Sequence, residues 1–87
     1  MSSDGDIICN LDVLPALLKA GKEVRHVWMQ GSDIEWHVIT SVRNHDGLNM
    51  VLAVHDAAGR KYVKALSRRS INSMNLSRQP EGYWALT

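Results

Sequence analysis

The residues best equipped for chemistry in this sequence are four histidines, His26, His37, His45 and His55, and a single cysteine, Cys9. A zinc site needs three or four ligands converging on one point, usually from short paired spacings. No two of these five stand closer than eight positions, so only cross-strand pairing, His37 beside His26 or His55, could gather them, and no metal is expected. Nucleophilic catalysis has as little support. Ser32, Ser41, Ser67, Ser70, Ser73 and Ser77 include no Gly-x-Ser-x-Gly elbow. Cys9 follows Ile7 and Ile8 without a cationic neighbour to lower its pKa, which suits a packed thiol. Asp33 and Glu35 flank a turn, where solvated acids are ordinary. The glycines stand singly at turn-like positions, so no phosphate-cradling loop is present. The expectation is a protein that is not an enzyme and carries no cofactor.

Binding chemistry is richer. Arg60, Lys61, Lys64, Arg68 and Arg69 cluster around Tyr62, and no acid occurs between Ala57 and Pro80. Residues 57–87 carry six Lys/Arg against Glu81 alone, a local charge of +5, whereas residues 1–56 sum to −4. A basic segment with an aromatic can follow a phosphate backbone and stack a base, or it can meet an acidic protein face. It can equally be a solvated surface that neutralises the acidic half. With period two, Arg60, Tyr62 and Lys64 share one strand face and Lys61 and Val63 the other, which divides the charges. The sequence contains no Phe, so Trp28, Trp36 and Trp84 must supply the bulk of an aromatic core. Any of them left exposed would be an interface anchor; Trp84, beside Tyr83, is the first choice.

These groups must be positioned by one small domain. Eighty-seven residues, 45 % of them hydrophobic, suffice for a single core with a thin stability margin, which a homodimer would supplement. One cysteine makes no internal disulfide. No apolar run is long enough to span a bilayer, and the acidic start Met1–Asp6 lacks the basic region of a signal peptide. A cytoplasmic protein without a membrane is the expectation.

Residues 1–8 read as a polar leader, with a short strand at Ile7–Cys9. Leu11, Leu14, Leu17 and Leu18 form one apolar stripe of a helix over 10–21. Asn10 or Asp12 can cap it, Pro15 falls early enough to be tolerated, and Gly21 stops it. The remainder, 23–87, reads as antiparallel strands. Val24, His26 and Trp28 share one face of the first. Ile34, Trp36, Val38, Thr40 and Val42 share a face of the second, opposite Glu35, His37 and Ser41, with Ile39 breaking the polar side. Leu48, Met50, Leu52 and Val54 share a face of the third. Lys61–Leu66 is a fourth strand; Ile71, Met74 and Leu76 suggest a short fifth after a polar turn or helix entry at 68–73; Tyr83–Leu86 suggests a terminal strand. The fold class is α+β: an N-terminal helix packed on a strongly twisted antiparallel sheet, or small barrel, of four to six strands.

In layout the chain resembles the Rof family, small proteins that bind the transcription terminator Rho. The resemblance rests on Ile8-Cys9-Asn10-Leu11-Asp12, similar to that family's opening before its helix, on Gly31-Ser32-Asp33-Ile34-Glu35, similar to its strand–turn–strand, and on Ser70-Ile71-Asn72-Ser73, similar to its closing strand. It implies an Sm-like barrel. Rof proteins present acidic residues to Rho, whereas the second half here is basic, so no binding residue carries over. Leu17–Val24, with Lys19-Ala20-Gly21-Lys22-Glu23-Val24, also resembles the helix end of phage proteins that sequester nucleotide signals. The functional expectation is a small phage or bacterial binding protein that modulates or inhibits a nucleic-acid-handling machine by direct contact with a protein. That partner would present an acidic or nucleic-acid-binding surface to Arg60, Lys61, Tyr62, Lys64, Arg68, Arg69 and Trp84. The alternatives are direct nucleic-acid binding through 60–69 and capture of a small nucleotide.

Overall fold

The computed structural model describes residues 10–87. The leader, the strand expected at Ile7–Cys9 and the Cys9 thiol lie outside them. The elements run α1 (Asn10–Lys19), β1 (Val24–Gln30), β2 (Asp33–His45), β3 (Asn49–His55), β4 (Lys61–Ser67), α2 (Arg68–Ser73), β5 (Leu76–Arg78) and β6 (Trp84–Leu86). All six strands form one sheet in the order β4-β3-β2-β1-β6-β5, so the expected α+β class holds. Its sheet is mixed rather than wholly antiparallel, because β6 runs parallel to β1, with Val24 opposite Trp84 and His26 opposite Leu86. No helix among the described residues is long and apolar enough to cross a membrane.

Helix α1 ends where the sequence asks it to. Gly21 has φ 78°, a conformation a Cβ would strain. The Lys22 amide bonds to the Leu17 carbonyl and the Gly21 amide to that of Leu18, each at 3.0 Å, the pattern of a Schellman cap. Its start differs from expectation. Asn10 is the first helical residue, and its side chain donates to the carbonyls of Ile71 (2.8 Å) and Met74 (2.6 Å). It thus ties α1 to the end of α2 instead of accepting amides from its own first turn. Pro15 lies beyond that turn and cannot donate to the Leu11 carbonyl.

The fifth strand is shorter and later than its apolar residues suggest. Ser67 caps a helix there, its hydroxyl accepting the Ser70 amide at 3.0 Å, and the helix turns Ile71 fully into the core. In β2 the core side is also not the expected one. Register places Ile39 opposite Val24 and His37 opposite His26, and Ile39 is buried. Bulges between Ile39 and Ser41 and between Val42 and Asn44 then change the alternation, so that Val42 faces Leu52. Trp36 and Val38 lie on the opposite side, where Arg25 is held between rings. Its guanidinium is 4.3 Å from the Trp36 ring centre and 4.0 Å from that of Tyr83, with Glu23 at 2.6 Å.

Leu14, Val24, Ile39, Met50, Leu52, Val54, Ile71 and Leu86 form the buried core. Met50, Leu52 and Val54 lie on one face of β3 as expected, whereas Leu48 sits in the turn before it and is exposed. The sheet is strongly curled. Lys64 on β4 reaches His26 on β1, at 3.0 Å, although three strand spacings on a flat sheet would separate them by about 14 Å. The helices cover only part of this concave face.

Two neighbouring substitutions in α1 should act in opposite directions. Asn10→Ala removes both bonds to α2 and lowers unfolding stability by about 1–3 kcal/mol. Pro15→Ala restores a helical donor and raises stability, by up to about 3 kcal/mol. Denaturant midpoints with unchanged slopes check both.

Candidate functional site

Tyr62 looks solitary in the sequence, yet the curl gives it neighbours from two other strands. Tyr62 and Lys64 lie on the core side of β4, opposite Val54 and Leu52. Past the end of β3 this face is not apolar. The Tyr62 ring stacks on His37 at 5.2 Å between centres and 26° between planes. His37 meets the Trp28 edge at 4.9 Å, and Trp28 lies 5.0 Å from His26. Lys64 Nζ sits 4.1 Å from the Trp28 ring centre. The result is a continuous row of four rings with a lysine beneath it. Such a row is rigid, because each ring is packed against the next.

The electrostatics are set by burial. His26 is only 9 % exposed, and burial, with the charges of Lys64 and His37 adding to it, lowers its pKa to about 4. The ring is therefore neutral near pH 7. Since an ammonium can only donate, Lys64 donates to Nδ1, and His26 carries its proton on Nε2. Burial likewise lowers the Lys64 pKa. His37 is pushed down by burial and then by Lys64, against the pull of Asp56 and Glu35. Its Nδ1 is buried and lacks a hydrogen-bond partner, an arrangement native proteins seldom leave unexplained.

Asp56 organises the turn from β3 to β4. It accepts the amides of Ala58 and Arg60, each at 2.9 Å, Arg60 Nε at 3.0 Å and the Tyr62 hydroxyl at 3.3 Å. Burial opposes its charged form, but the bonds from Arg60 and Ala58 outweigh it, and the carboxyl is held below its ordinary pKa. Register with β3 begins only at Val38, opposite His55. The β1–β2 hairpin continues past that point to Gln30 opposite Asp33. The projecting part of β2 and the β3–β4 turn enclose a cleft of about 370 Å³, bordered by Glu35, His37, Asp56, Arg60 and Tyr62. On the other side of the hairpin an apolar groove of about 410 Å³ is lined by Val27, Trp28, Met29, Ile34 and Met74, with His26.

The basic residues do not form one patch. Arg60 flanks the cleft, and Lys61 points to the other face, opposite His55. Lys64 turns inward. Arg68 lies at the far end of β4, roughly 25 Å along the strand at ~3.3 Å per residue, where its Nη1 donates to the Asp46 carbonyl at 2.8 Å. Arg68 opens α2, and Arg69 after it is exposed. Trp84 is half-buried against the core and so is not the free anchor that its position suggested. Tyr62, Lys64 and Arg60 are thus brought together, while Lys61, Arg68, Arg69 and Trp84 lie elsewhere. Trp28 and His37 join them only through non-local pairing, whereas Asp56 joins them locally, from the turn that precedes β4; the sequence hint was the possible approach of His37 to His26 or His55. Among the described residues no three His, Cys, Asp or Glu side chains gather to hold a metal. Comparisons with protein-family models, curated proteins and solved structures return no match.

The neutral His26 fixes the sign of one pH effect. Its folded pKa is depressed from 6.5 to about 4, so its stabilising contribution is complete above pH 6.5 and is lost as pH falls towards 4, because the unfolded chain gains the proton first. Unfolding measurements should show that loss above the range in which Asp46 and Asp56 titrate. In Lys64→Met, which removes the adjacent charge, the His26 imidazole signal in NMR should titrate at higher pH.

Proposed function

We propose that this protein is a non-enzymatic binding module, phage- or bacterium-encoded and cytoplasmic, that modulates or inhibits a larger nucleic-acid-handling machine by direct protein contact through its β1–β2 hairpin. One observation carries the reading: Met29 and Ile34 face each other across the projecting hairpin and remain 61 % and 64 % exposed. Large apolar side chains gathered on so small a domain mark an interaction surface. The groove beside them continues the apolar surface inward to Trp28 and Met74, which gives a partner side chain a pocket to fill, as interface anchors require.

Charge supports the same kind of partner. Ile34 borders both the apolar groove and the cleft that holds Arg60, so an apolar anchor and a cation line one cleft. A partner with a hydrophobic knob and an acidic rim matches that pattern. The separation of Lys61, Arg68 and Arg69 from Arg60, with Lys64 turned inward, speaks against a single backbone-tracking track along 60–69, which a duplex or long single strand would need.

Affinity capture from a bacterial lysate, with nuclease and at moderate salt, tests the reading. The wild-type protein should retain a nuclease-resistant protein partner. Met29→Asp combined with Ile34→Asp should weaken that capture by roughly two orders of magnitude, equivalent to about 2.7 kcal/mol, with an unchanged circular dichroism spectrum. Equal capture by the double variant, or recovery of only nuclease-sensitive material, would contradict it.

A further inference from the structure

We propose that the cleft between the projecting half of β2 and the β3–β4 turn binds a guanine base bearing a phosphate, stacked on Tyr62. This goes beyond the hairpin reading and uses the opposite side of β2.

The first support is the stacking surface. Tyr62 is 41 % exposed while one side of its ring rests on His37. Its hydroxyl is held by Asp56 Oδ2, so the ring is fixed before any ligand arrives. A base placed on the open side extends the row that already runs through Trp28, His37 and Tyr62. Base–aromatic stacking of this kind needs only a flat, accessible ring with a cation nearby. The cleft, about 370 Å³, is in the size range of small-molecule sites.

The second support is the cation. Arg60 Nε is committed to Asp56, yet the side chain is 74 % exposed. The same carboxylate therefore anchors the guanidinium at its stem and leaves its outer nitrogens at the rim. A guanidinium held in this way presents a fork suited to phosphate oxygens.

The hydrogen-bonding groups narrow the base. Asp56 is occupied by the Ala58 and Arg60 amides, Arg60 Nε and the Tyr62 hydroxyl. Glu35 also borders the cleft, is exposed, and makes no hydrogen bond or ion pair among the described residues. A free carboxylate accepts only, so the edge that meets it must donate. Guanine offers two adjacent donors, its ring N–H and its 2-amino group, to one carboxylate. Adenine and cytosine offer a single amino group, and uracil a single ring N–H. His37 also borders the cleft, and its Nδ1 is buried without a partner.

The purified full-length protein can be titrated with GMP, guanosine, AMP, CMP and UMP, and with pentanucleotides that contain guanine or only adenine, by calorimetry and by amide shifts in NMR. GMP should bind at least about tenfold more tightly than AMP, about 1.4 kcal/mol. Tyr62→Ala should lose roughly tenfold or more in GMP affinity while Tyr62→Phe stays within about threefold, since the stacking ring survives. Glu35→Gln should abolish the preference for GMP over AMP, and Arg60→Ala should narrow the gap between GMP and guanosine. If the guanine pentanucleotide binds more tightly than GMP, the ligand is a single strand; if GMP binds more tightly, it is a free nucleotide. Both uphold the site. Absence of guanine-dependent binding, or GMP affinity unchanged in a folded Tyr62→Ala protein, would overturn it. Met29→Asp alone, at a residue that borders the apolar groove and not the cleft, should weaken partner capture and leave this titration unchanged, so the two readings fail separately.

Discussion

The curl of the sheet is the constraint on which the rest of this structure depends. A flat sheet would leave β4 and β1 too far apart for any side chain to bridge, yet Lys64 reaches His26 and lies over Trp28. The curvature follows from the bulges in β2, which pairs with β1 along its first part and with β3 along its second. Once curled, the concave face is covered at one end by Leu14 of α1 and Ile71 of α2, and this end becomes the core. Among the described residues no helix lies over the other end, and its side chains are aromatic, histidine and lysine.

Burial of a lysine and two histidines on that face is costly in isolation. The cost is offset by pairing unlike roles: the Lys64 ammonium finds a π face and a neutral imidazole acceptor, and the imidazole remains neutral because it is buried and, in addition, because that same ammonium lies beside it. The arrangement is self-consistent only when the strands hold their register. Asp56 does the corresponding work at the rim, where one carboxylate fixes a turn, an arginine and a tyrosine together. Packing of this kind gives a rigid surface, and a rigid surface loses little entropy on binding.

Much of this was legible in the sequence, for local reasons. The leucine stripe and Gly21 define α1, and alternation defines β1, β3 and β4, with the apolar face of β3. What escaped was non-local. The parallel docking of β6 on β1 leaves no periodic trace. β2 is apolar on both sides, because Trp36 and Val38 serve the convex face with Arg25 and Tyr83; Ile39, the apolar residue out of phase, was the signal of the true core side. At Ile71 a serine cap outweighed an apolar spacing that suggested a strand. At the candidate site, Tyr62, Lys64 and Arg60 were visible as a basic–aromatic cluster and Asp56 stands in the adjoining turn, but their partners Trp28 and His37 come from other strands, and only register and curl bring them together.

The most direct measurement is solution NMR of the side chains on the concave face. The Lys64 ε-protons should be shifted upfield by the Trp28 ring, with cross-relaxation between Lys64 and Trp28 and between Tyr62 and His37, and the His26 nitrogens should report a neutral ring protonated on Nε2. Lys64 ε-protons at the ordinary position, with no cross-relaxation between β4 and β1, would mean that the sheet does not curl this way and that the aromatic row does not exist.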